Sequence, residues 1–122
     1  MAQWRKNMRL ISSLRCASRG VIMGFSEERN FRFGVLVLFA VMLGGWWLRV
    51  PPGAYVLIVG AWVLLLAVEL VNAAFERFAD AIHPKYSQII GTAKDMLAGA
   101  VLLLAAGAAG ATLLLVVATI RG

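Results

Sequence analysis

Val63-Leu64-Leu65-Leu66-Ala67-Val68-Glu69-Leu70-Val71-Asn72-Ala73-Ala74-Phe75-Glu76-Arg77-Phe78-Ala79-Asp80 passes from hydrocarbon into charge with no proline or glycine to stop a helix. The apolar run it completes begins at Gly53. One helix is therefore expected to cross a membrane over about 53–68 and to continue out of it to about 81. On a wheel turning about 100° per residue, Glu69, Asn72, Glu76 and Asp80 fall within an arc of roughly 80°, a polar stripe about 16 Å long. An ionisable residue at a membrane boundary is costly enough to mark Glu69 as a functional candidate. Asn72 beside it offers a donor and an acceptor without charge, which suits orienting a hydroxyl. Asp80 and Arg77 fit the solvated face of an emerging helix equally well.

Two further apolar stretches, about 33–48 and 96–120, flank this one, so three membrane spans are expected. The first span and the second each have only about 24 Å of helix at the usual rise. Arg32, Trp46, Trp47 and Arg49 can extend them by snorkelling and interfacial anchoring. Leu48-Arg49-Val50-Pro51-Pro52-Gly53 between them reads as a tight helical hairpin. Of the 122 residues, 61% are hydrophobic and 15% charged, which excludes an ordinary water-soluble domain. One Cys and one His exclude a disulfide framework and a Cys/His zinc site. The expectation is an all-α integral membrane protein, a single membrane domain over 1–122.

The first 32 residues are polar and basic, and Arg5, Lys6, Arg9, Arg15 and Arg19 stand where a signal peptide would need its apolar core. This segment is expected to be retained. Trp4, Met8, Ile11 and Leu14 recur at helical spacing among these cations, as in an amphipathic helix lying in the headgroup plane. With three spans, ten of the twelve basic residues fall on the side of the amino-terminal segment and of the 77–94 region, with Arg49 and Arg121 on the other. The positive-inside rule makes the first side cytoplasmic. All six acids, Glu27, Glu28, Glu69, Glu76, Asp80 and Asp95, lie near that side, so any chemistry belongs at the cytoplasmic membrane surface.

The third span opens with Gly91-Thr92-Ala93-Lys94-Asp95, where Thr92 and Asp95 fit a capping box. Lys94 just inside a helix amino terminus opposes the helix dipole, a conflict that an anion such as phosphate would relieve. The Ala- and Gly-rich surface of this span favours close helix packing within the chain or between copies. Three thin helices cannot enclose a polar site alone, so a homo-oligomer with sites between protomers is expected. No G-x-x-x-x-G-K-[ST] or G-x-G-x-x-G motif is present, and the basic segment has no nucleic-acid-binding module around it. Nucleic acid is not expected as a partner.

Glu69-x-x-Asn72-x-x-x-Glu76-x-x-x-Asp80, with Ala93-Lys94-Asp95, Ala98-Gly99-Ala100-Val101, Glu28-x-x-Phe31-Arg32 and Gly20, resembles the signature of the prokaryotic diacylglycerol kinase family. These are small trimeric lipid kinases of the bacterial membrane. The resemblance implies a homotrimer in the cytoplasmic (inner) membrane that uses ATP with Mg2+ and a membrane lipid. It implies Glu69 as general base, Glu28 and Glu76 as the carboxylates that hold the metal on ATP, and Asn72, Asp80, Arg32, Lys94 and Asp95 as active-site residues. Arg9 and Lys85-Tyr86-Ser87 fall near the nucleotide, with Lys94 and Asp95 in the same group. Ala73 departs from the Ser or Thr that often follows the Asn. Chain length and motif spacing resemble the diacylglycerol kinases of Gram-negative bacteria, whereas Glu28-Arg29-Asn30-Phe31 and Ala98-Gly99-Ala100-Val101 resemble the undecaprenol kinase branch. Diacylglycerol is the expected acceptor and undecaprenol the alternative. Two readings outside the family are a small cation-coupled exporter, which calls for a Glu near mid-bilayer, and a noncatalytic assembly subunit that docks through the acidic stripe.

Overall fold

Four helices follow one another in the computed structural model, which describes residues 2–122 and side chains from residue 8 onward. They are α1 (Ala2–Glu27), α2 (Arg29–Trp47), α3 (Pro52–Ile82) and α4 (Gln88–Arg121). The side chains of Trp4, Arg5 and Lys6 lie outside the described residues. The last three helices are long and apolar enough to cross a membrane, the architecture of a multi-pass membrane protein. At 31 and 34 residues, α3 and α4 are about 46 and 51 Å long, against a hydrocarbon core of about 30 Å. Both must therefore project beyond it, and α3 carries the Glu69-to-Asp80 stripe on its projecting part.

α3 is the central element, packed most extensively on α4 and then on α2. Ile58, Leu65 and Leu66 of α3 are buried, as are Phe31 of α2 and Ala108 of α4. Gly24 and Gly34 permit this packing. A methyl on Gly34 would stand 2.7 Å from Leu66 Cδ2, and one on Gly24 would collide with Leu70. Two polar ties cross between spans: Tyr55 Oη donates to the Met42 carbonyl at 3.1 Å, and Trp62 Nε1 donates to Thr112 Oγ1 at 2.9 Å. On the rest of α4, Leu102, Leu103, Leu113 and Leu114 remain uncovered, and side chains added at Gly99, Gly107 or Gly110 would meet open space.

The hairpin between α2 and α3 is closed by backbone. Arg49 N donates to the Trp46 carbonyl at 3.1 Å and Val50 N to the Gly45 carbonyl at 3.0 Å, the paired bonds of a Schellman ending. That ending needs a left-handed residue, and Arg49 supplies it at φ 55°. Gly53 takes no positive φ; it lies inside α3, whose first residue is Pro52, the favoured use of proline at a helix start.

α1 and α2 are separated by Glu28 alone, extended at φ −102°, ψ 112°. α2 thus begins at Arg29, four residues ahead of the apolar run, because nothing in Arg29-Asn30-Phe31-Arg32 opposes a helix. α1 is helical through its basic segment, and its apolar side chains Met8, Ile11, Leu14 and Ile22 stay uncovered by the rest of the chain.

Candidate active site at the charged end of α3

Glu69, Asn72, Glu76 and Asp80 lie on one uninterrupted helix, so the stripe expected from their spacing stands on α3. Asn72 Nδ2 donates to Glu76 Oε1 at 3.3 Å, one turn along, while Asn72 Oδ1 is buried with no partner. Glu28, supplied by the α1–α2 joint, comes close enough to Glu69 for their charges to repel, as does Glu76. Glu28 is thus brought to the charged end of α3 within one chain, where Arg77 of the same helix binds it.

Arg77 anchors this grouping. Its Nη1 is 2.7 Å from Glu27 Oε2, and its Nη2 donates to Glu28 Oε1 at 2.7 Å. Arg32 turns the other way and donates to the Ser26 carbonyl at 3.1 Å, closing the last turn of α1. Lys94 reaches across from α4 to Asp80, Nζ to Oδ1 at 2.6 Å. An ammonium carries three donors, so two remain for another anion.

The start of α4 corrects the capping box read from the sequence. The helix begins at Gln88 with Ser87 as its first boundary residue, and Thr92 Oγ1 donates back to the Gln88 carbonyl at 2.9 Å. Thr92 and Asp95 are therefore in the second turn, too late to cap. Lys94 is also past the turn where the helix dipole acts most strongly, and Asp80 supplies the anion that its position was expected to lack. Asp95 is exposed on α4 beside it.

Lys85, Tyr86 and Ser87 lie in the five-residue connection, His83 to Ser87, from α3 to α4. His83 Nδ1 donates to the Lys85 carbonyl at 2.7 Å, and Tyr86, 89% exposed, stands over Gly91. Arg9 lies about 28 Å along α1 from Glu28, so its own chain does not bring it to the carboxylates. Among the described residues no three His, Cys, Asp or Glu stand close enough to hold a metal ion by themselves. Magnesium is ordinarily bound by one or two carboxylates together with substrate phosphates, and Glu28 and Glu76 are hard oxygen donors of that kind. Sequence reasoning missed Glu27 and the Arg77 bridge, for which no local periodicity gives a signal.

The sequence matches the family described as prokaryotic diacylglycerol kinase over residues 15–116. It is 35% identical over 96 residues to the diacylglycerol kinase of Escherichia coli K12, an alignment covering 78% of each chain. It is 34% identical over 106 residues to a diacylglycerol kinase of Synechocystis, covering 86% of this chain and 61% of the relative. It is also 31% identical over 97 residues to the undecaprenol kinase of Bacillus subtilis, covering 80% of this chain and 79% of the relative.

Proposed function

The chain belongs to the prokaryotic diacylglycerol kinase family, and on that premise we propose that it transfers the γ-phosphate of MgATP to the hydroxyl of diacylglycerol, giving phosphatidic acid. The observation that carries the proposal is the charged end of α3, which bears Glu69, Asn72, Glu76 and Asp80 on one helix, with Glu28 held there by Arg77 and Lys94 of α4 paired to Asp80. A lipid hydroxyl meets water at this level, and Glu69 is the first carboxylate beyond the apolar run.

In the reaction the lipid hydroxyl oxygen bonds to the γ-phosphorus, the bond from that phosphorus to the β–γ bridging oxygen breaks, and ADP leaves. Glu69 accepts the hydroxyl proton. Because phosphoryl transfer passes through a loose transition state, Glu69 acts as much by orienting the hydroxyl as by removing its proton early. Asn72, whose Nδ2 spends one hydrogen on Glu76, donates its second to the oxygen of the same hydroxyl. Lys94, held by Asp80, directs its remaining donors to phosphate, with Asp95, Lys85, Tyr86 and Ser87 near the nucleotide, which Arg9 would reach only from a neighbouring protomer. Glu28 and Glu76 would hold the magnesium of MgATP, which would supply charge screening of the phosphate oxygens.

We place this end in the cytoplasm, in the inner membrane, on the strength of the basic-residue asymmetry. α1 then lies in the headgroup plane with its uncovered apolar side chains in the acyl boundary. The homotrimer that the family resemblance implies would cover the stripe with neighbouring protomers, since Glu76 and Asp80 are exposed in the single chain. Undecaprenol is the second acceptor to consider, on the likeness to the Bacillus subtilis enzyme. Phosphorylation rates measured side by side on the two lipids decide between them. Diacylglycerol should have the higher kcat/KM, and the reverse ranking would transfer the assignment to undecaprenol.

A further inference from the structure

We infer that Arg77 is a positioning residue that clamps α1 onto α3 and thereby aims the Glu28 carboxylate, an inference resting on the reading of Glu28 as a ligand of the nucleotide's metal. The joint between α1 and α2 is one extended residue, Glu28 itself. Any swing of α1 about that joint therefore moves the carboxylate. Packing restrains α1 at Gly24, which abuts Leu70, but beside that contact an open groove of about 290 Å³ lies between α1 and α3. It is lined by small residues including Ala17, Gly20, Ala73 and Ala74, with Glu28 and Arg77 also at its wall. Where a gap leaves side chains without partners, dispersion attraction is lost and polar ties matter more.

The guanidinium spans the joint. One arm takes Glu27, the last residue of α1, and the other takes Glu28, each at 2.7 Å. A planar fork is suited to this double task in a way that an ammonium is not. The second arm engages Oε1 of Glu28 and leaves Oε2 for another partner. Arg77 thus stands to Glu28 as an outer partner stands to a metal ligand, fixing its direction without touching the ion.

Cys16 gives the test its probe. It is the chain's one cysteine and lies exposed on α1, so a nitroxide attached there reports the motion of that helix without competing labels. The experiment uses full-length protein in detergent micelles, as wild type, Arg77→Gln, Arg77→Lys and Glu27→Gln. The label should be more mobile in Arg77→Gln than in wild type, with Arg77→Lys and Glu27→Gln between them. In parallel, the Mg2+ concentration for half-maximal lipid phosphorylation should rise about tenfold in Arg77→Gln, with kcat at saturating Mg2+ little changed and partial recovery in Arg77→Lys. Unchanged label mobility would overturn the clamp. A more mobile label with an unaltered or lowered Mg2+ requirement would reduce Arg77 to a structural tie and overturn the positioning role. A wild-type protein without lipid phosphorylation would count against the kinase reading instead, and the label would still decide the clamp.

Discussion

The two ends of this helical bundle are held by different forces. At the Pro-Pro end, α2 stops and α3 starts within a few residues, through backbone bonds from Arg49 and Val50 to Trp46 and Gly45. These backbone partners are local, and proline fixes the exit. At the charged end the ties are long-range side-chain pairs: Arg77 to Glu27 and Glu28, and Lys94 to Asp80. Backbone bonds of the first kind have one geometry. Exposed ion pairs are individually weak, sensitive to salt, and open to exchange of partners. The end that only turns the chain is thus closed by local backbone geometry, while the end proposed to meet nucleotide and lipid is held by side-chain pairs that a bound anion could rearrange.

Glu69 offers the sharpest way to break the comparison. Glu69→Gln keeps the side-chain shape and removes the proton acceptor, so kcat should fall by roughly 10² or more with ATP binding retained, as read by turnover and nucleotide titration. Near-normal turnover would remove Glu69 from its role. Glu28→Gln and Glu76→Gln should each raise the Mg2+ requirement by about tenfold or more. A Mg2+ titration unchanged in either variant would separate that residue from the metal.

The framework between the ends should respond in stability and not in turnover. Trp62→Phe removes the donor to Thr112, and a loss of about 0.6 to 1.7 kcal/mol is expected in reversible denaturation. Arg49→Gly relieves a left-handed residue at the hairpin, and a gain of under about 1 kcal/mol is expected, with activity unaffected. Loss of activity in the Arg49 variant would show that the two ends are coupled more tightly than their contacts suggest.

The spans and the α3 stripe were legible because both are matters of local periodicity: apolar runs long enough to cross a bilayer, and polar residues three and four apart. The hairpin was legible from Pro51-Pro52, but not the residue that turns it, since Arg49 carries no sign of a left-handed conformation. The start of α4 was hidden for a related reason. Thr92 and Asp95 have the spacing of a cap, yet Ser87 begins the helix without a side-chain cap. Arg77 was the least legible, because its partner Glu28 is 49 residues away and only the fold brings them together.

The central claim is that the charged end phosphorylates a lipid, and the most direct measurement is phosphate bookkeeping on purified protein in mixed micelles. With ATP labelled at the γ-phosphate, Mg2+ and diacylglycerol, the account predicts one labelled phosphate in the organic-solvent extract for each ADP formed, and none when the lipid is omitted. ADP formation without label in the lipid, or no ADP formation at all, would contradict it.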